Sequence, residues 1–209
     1  MSVKMKYFYS LAFFFAILLA SCNGGEPPSP YVYNTNPHYT KGGIEYFGQE
    51  YARYVITNNI LSVSLFSDSL GTDSTGALTG TGQVLFLEDV YIAPTERTLQ
   101  TGVYTISSSG LPNTVSPGKN DTVGTEVFPI GATISYYEEN ASRSKMMLVT
   151  DGTFTVTKSG NNFTVVCDLK TDDKKALKGS FTGSLKYLDE SLSLHRLSLN
   201  RDRHTIFRF

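Results

Sequence analysis

The chain has no tryptophan, only three histidines and only two cysteines, and neither sign of charge predominates. Each scarcity excludes something. His38, His195 and His204 stand far apart, and none lies at ligand spacing from another histidine or a cysteine, so the sequence offers no zinc motif and no metal site is expected. Eighteen basic residues against nineteen acidic give a formal charge of −1, which leaves no basic stripe for nucleic acid. After Leu19 no apolar run approaches the about 20 residues that a membrane-crossing helix needs. The chain also lacks a G-x-S-x-G elbow, a phosphate loop and a dinucleotide fingerprint. Without any of these sets, no enzyme activity and no cofactor are expected.

What is present begins with an address. Lys4 and Lys6 precede an apolar run from Tyr7 to Leu19, broken only by Ser10, and small residues Ala20 and Ser21 lead to Cys22. Charge, apolar core and small-residue exit make a secretory signal helix over residues 1–21. Leu19-Ala20-Ser21-Cys22 resembles the lipobox of bacterial lipoproteins. The resemblance implies cleavage between Ser21 and Cys22 and a diacylglyceryl group on the Cys22 sulfur. Each buried methylene contributes about 0.8 kcal/mol, so two or three acyl chains hold a protein on a membrane firmly. Residues 23–30, NGGEPPSP, have no apolar face and fit a flexible spacer, with the tether as a whole expected over residues 22–43. Asn23 is not the aspartate that retains many lipoproteins in the inner membrane, so the outer membrane is the expected site, at the cell surface or facing the periplasm.

Removing residues 1–21 from 209 leaves 188, enough for one substantial domain, with 16 basic and 19 acidic residues, or −3. If Cys22 carries lipid, Cys167 has no partner for an internal disulfide. Thirteen Phe, thirteen Tyr and frequent Thr, Ser and Gly mark an antiparallel β-protein. The alternation in Ile60–Ser67 (ILSVSLFS) fits a half-buried strand, with Asn58-Asn59 as the turn before it. Residues 68–82 and 108–124 are rich in turn residues and predict loops. The clearest stretch is residues 152–187. Phe154 and Val156 share a face, Ser159-Gly160-Asn161 makes a hairpin turn, and Phe163, Val165, Cys167 and Leu169 return on one face. Leu177, Phe181 and Leu185 continue into a third strand. About nine or ten strands and no amphipathic helix over residues 44–190 predict an all-β, antiparallel two-sheet sandwich, with a closed barrel of lipocalin type as the alternative. Residues 191–209 turn basic and predict a last strand or a tail.

The segments GVYTIS, DGTFTVTKSGNNFTVVCDLK and KGSFTGSLKY behind a lipobox resemble β-rich surface lipoproteins of Bacteroidota. The likeness spans Ile60 to Tyr187 and implies fold and lineage more than chemistry. Some proteins of that lineage bind glycans beside an outer-membrane transporter, and others form adhesive fimbriae. The expected function is therefore a membrane-anchored, non-catalytic binding module for a glycan or protein partner. A structural or adhesive subunit is the alternative, and a hydrolase with an unrecognised site is a third.

Few residues stand out as sites. Tyr136 and Tyr137 are candidate ligand-contact aromatics, since tyrosine offers a ring and a hydroxyl. Asp68-Ser69-Leu70, Asp73-Ser74-Thr75 and Asp121-Thr122-Val123 resemble the O-glycosylation pattern of exported Bacteroidota proteins, making Ser69, Ser74 and Thr122 candidate acceptors in expected loops. The acid pair Asp189-Glu190 is expected to be solvated, because adjacent residues on a strand face opposite ways. Cys167 is expected to be a core residue.

Overall fold

The structure is a computed structural model that describes residues 33–52, 55–67, 69–73, 78–138 and 145–191. Cys22, Ser21, Ser74 and the segment 192–209 lie outside the described residues. The described part is all β, with fourteen strands. In chain order they are β1 (His38–Ala52), β2 (Val55–Ser67), β3 (Leu70–Thr72), β4 (Leu78–Ile92), β5 (Gly102–Ile106), β6 (Thr114–Val115) and β7 (Lys119–Val123). There follow β8 (Glu126–Ile130), β9 (Ala132–Glu138), β10 (Lys145–Ser159), β11 (Asn162–Thr171), β12 (Ala176–Leu177), β13 (Ser180–Ser184) and β14 (Lys186–Asp189).

The main sheet closes on itself. β1, β2 and β4 pair antiparallel, and so do β10, β11 and β13. β13 then meets β1 in parallel, with His38 beside Ser180 and Tyr39 beside Phe181. Between β4 and β10 the wall is filled by β9 at the end where β1 starts, and by β6 and β5 at the other end. Eight strands thus form the ring β1-β2-β4-β6-β5-β10-β11-β13. The alternative expected from the sequence, the closed barrel, fits this pairing, whereas two stacked sheets do not appear among the described strands. One apolar face per strand serves either architecture equally, and the pairing that decides between them joins residues 142 apart in sequence.

Alternation drives the packing. Along β11, Phe163, Val165, Cys167, Leu169 and Thr171 are buried while Asn162, Thr164, Val166, Asp168 and Lys170 are exposed. Leu61, Val63 and Leu65 of β2 sit beside Val90, Leu87 and Leu85 of β4 and point the same way. Tyr39, Tyr104, Phe154, Phe181 and Leu99 are also fully buried. The Tyr104 and Phe154 rings stack with centroids 4.7 Å apart. Eight strands enclose an interior of the width that side chains of this size occupy. Burying each such side chain contributes about 1.5–3 kcal/mol. The outward residues of β10 and β11 include Thr155, Thr157, Thr164, Asp168 and Lys170, with Val166 the apolar one among them. An apolar inside and a polar outside are the reverse of a membrane-spanning barrel.

Residues 33–37 lie across the end where β1 starts. Lys178 N–H donates to Thr35 O (2.7 Å) and Ser180 N–H to Pro37 O (3.0 Å). Gln83 Nε2 on β4 donates to Asn34 O (3.1 Å), so the segment links β4 with the stretch around β13. The described fold therefore includes residues 33–43, which the sequence assigns to the tether. Nearby, Phe66, Leu70 and Val84 cluster with Leu78 and Tyr137 where β3 pairs back on β4. Part of the expected loop 68–82 is thus a hairpin arm. Asn58-Asn59 is no turn either: Asn59 lies inside β2, opposite Gln49 and Ile92, and is buried.

Candidate functional site

The opposite end of the barrel is built differently. β4 runs out into residues 93–101, which fold over the barrel mouth. Asn59 fixes their start, its Nδ2 donating to Pro94 O (3.0 Å) and Glu96 O (2.5 Å). Leu99 drops into the core, fully buried. The Tyr104 hydroxyl accepts from Gln100 N–H (3.0 Å) and faces Gln100 O (3.3 Å). Between these anchors Arg97 reaches the Asp189 carboxylate on β14 and stands over the Tyr46 ring, 4.8 Å from its centroid. The Ser191 hydroxyl and amide, and then Arg97, hold Asp189 below the usual carboxylate range. The strap is therefore polar on its rim and apolar beneath.

Under the strap lies a cavity of about 470 Å³, within the size range of small-ligand pockets. Ile44, Phe163 and Leu185 give it an apolar floor. Thr98, Asn161 and Ser184 supply short polar side chains, and Tyr187, 48 % exposed, stands at the opening. Two cations, Arg97 and Lys158, complete the lining. Lys158 Nζ sits 5.2 Å from the centroid of the Phe163 ring. The local sequence explains how these groups meet. The Gly160 turn places Lys158, Asn161 and Phe163 at one hairpin tip, and β14 runs parallel to β1 so that Ile44 and Tyr187 are neighbours.

Residues singled out from the sequence fall elsewhere. Tyr136 and Tyr137 are half-buried on β9, and their side chains point to opposite faces. Tyr137 packs in the Phe66 cluster and Tyr136 lies opposite Gln83, at the end away from the mouth. They do not form one platform. Ser69 is exposed in the turn before β3. Thr122 is exposed too, but on β7, where Asp121-Thr122-Val123 pairs with β8 rather than forming the expected loop. Among the described residues, no three His, Cys, Asp or Glu side chains gather where they could hold a metal ion. Arg97, Lys158 and Tyr187 were not legible as a site, because they come from separate segments that only barrel closure brings together. Compared with known protein families, curated proteins and solved structures, the chain matches none.

Cys167 is 1 % exposed, and burial pushes its thiol from 9.0 up to about 12. A raised pKa stabilises the fold below the unfolded value and withdraws that stability as pH rises toward the folded value. Between pH 9 and 12 the chain is therefore expected to lose stability that a Cys167→Val variant keeps. By pH 10.5 the difference should reach about 2 kcal/mol, at about 1.4 kcal/mol per pH unit. Urea midpoints of both proteins at pH 8 and 10.5 measure it, and parallel losses would mean the thiol reaches water.

Proposed function

We propose that this chain is an outer-membrane lipoprotein, anchored through Cys22, whose barrel is a non-catalytic binding module with its ligand site at the mouth. The observation that carries this reading is the pocket itself. Among the described residues, one end of the barrel carries an open cavity of about 470 Å³ with an apolar floor, polar rim and exposed tyrosine. Ligand sites share that combination. A surface glycan or a protein segment is the partner class in view, since a tyrosine ring and short hydroxyl and amide side chains suit both.

Two measurements test the two halves of the proposal. Cys22→Ser should move the protein from the membrane fraction to the soluble fraction of its native host. Membrane retention at the wild-type level would overturn the anchor. A glycan panel probed with the lipid-free chain should show binding that Tyr187→Ala weakens at least tenfold. Binding that ignores Tyr187 would remove the mouth from consideration. The adhesive-subunit alternative draws on one feature: β14 pairs only with β1 among the described strands, and all four of its residues are exposed. Such an edge can accept a strand from a second chain. Concentration-dependent oligomers, lost on deleting residues 191–209, would favour that reading.

A further inference from the structure

The lining of the mouth carries an uneven charge. Arg97 and Lys158 line the cavity and no carboxylate does, although the whole chain has a net charge of −1. The two cations are not equivalent. Arg97 is committed to Asp189, to the Tyr187 hydroxyl and to the Tyr46 ring. Lys158 has no carboxylate partner among the described residues; its ammonium rests on the Phe163 ring, and its own amide is tied down by Thr101 Oγ1 at 3.0 Å. A lysine held half-buried beside an apolar floor, its ammonium on an aromatic face and no carboxylate lining the cavity, is placed to receive an anion.

The remaining lining narrows the anion. A bare inorganic ion would leave Ile44, Phe163 and Leu185 against water and would not need a cavity of about 470 Å³. A fatty or aromatic acid would cover that floor and leave Thr98, Asn161 and Ser184 without work. A sugar ring has an apolar C–H face for the floor and hydroxyls for the short polar side chains, and an exposed tyrosine at the opening can stack on the next ring. We infer that the mouth pocket selects a carboxylated sugar unit, its carboxylate on Lys158, its ring on the apolar floor and the next ring on Tyr187. This inference rests on the mouth being the binding site. The Arg97–Asp189 pair holds the strap over the bound ring and leaves Lys158 as the group that recognises the charge.

The test is calorimetric titration of the lipid-free chain with tetramers of galacturonate, glucuronate-containing and mannuronate glycans, each beside its carboxyl methyl ester. At least one acidic tetramer should bind at least tenfold more tightly than its ester, and the advantage should shrink as salt is raised. Lys158→Gln should remove that advantage, Lys158→Arg should keep most of it, and Tyr187→Ala should weaken acid and ester alike. Melting curves of the three variants should stay close to the wild type, since neither Lys158 nor Tyr187 is a fully buried core residue. Equal binding of acid and ester, with Tyr187→Ala weakening both, would overturn the acidic-sugar inference and keep the mouth as a glycan site. Binding of no tetramer, or binding indifferent to both Lys158 and Tyr187, would overturn both.

Discussion

Phe154→Ala is expected to destabilise the folded chain by about 3–5 kcal/mol, near the upper range for a single buried aromatic. Phe154 is fully buried on β10, opposite Tyr104 of β5 and Cys167 of β11. It therefore sits where three strands of the ring share one interior. Truncation removes the transfer free energy of the ring and leaves a cavity that a closed barrel cannot collapse without breaking its own pairing. The stack on Tyr104 adds about 0.5–1.5 kcal/mol beyond area. In a domain of this size the loss corresponds to roughly 6–20 °C in melting temperature. It should also reach the mouth, because the Tyr104 hydroxyl holds Gln100 at the end of the strap. Urea unfolding with an unchanged m-value gives the number, and Phe154→Leu should cost clearly less. A loss under about 1 kcal/mol for Phe154→Ala would mean that the ring does not fill the barrel.

How far the sequence foretells this architecture depends on the range of the interaction. The hairpin of β10 and β11 is legible from Gly152 onward, since its alternation, its turn at Ser159-Gly160-Asn161 and its core residues are all local, whereas the first part of β10, from Lys145, is not read as part of it. The third strand of that meander was legible too, because Phe181 continues the same face. Asn58-Asn59 reads as a turn because asparagine favours turns, but Asn59 is used for its side-chain amide, which fixes the strap by bonding residues 35 and 37 positions away. The choice of barrel over sandwich turns on β13 meeting β1, and no local pattern encodes that. The mouth was invisible for the same reason. Tyr136 and Tyr137 are a pair in sequence, while Tyr187, Lys158 and Arg97 become neighbours only after closure.

Gly152→Val is expected to cost about 2–6 kcal/mol, and its effect should reach the mouth as well as the core. Gly152 has φ +115°, a conformation side chains rarely adopt, and a Cβ there would lie 2.3 Å from Asp168 O and 2.7 Å from Leu169 Cα. Both contacts are backbone, so neither neighbour can swing aside. Backbone strain of about 1–3 kcal/mol adds to overpacking of about 1–3 kcal/mol. The register shift of β10 against β11 lies just before this position, between Val149 and Asp151. If the strand relieves the clash by slipping one residue, every side chain beyond it changes face. Phe154 and Val156 would then turn outward, and Lys158 would leave the cavity lining. Gly160→Ala separates the two costs. Gly160 has φ +58° but open space around a Cβ, so only the conformational cost of about 1–2 kcal/mol should appear. Urea midpoints give the energies, and amide exchange along β10 and β11 reports the slip. A Gly152→Val protein as stable as Gly160→Ala, with exchange unchanged, would show that the bulge can open at little cost and that the hairpin does not fix the position of Lys158.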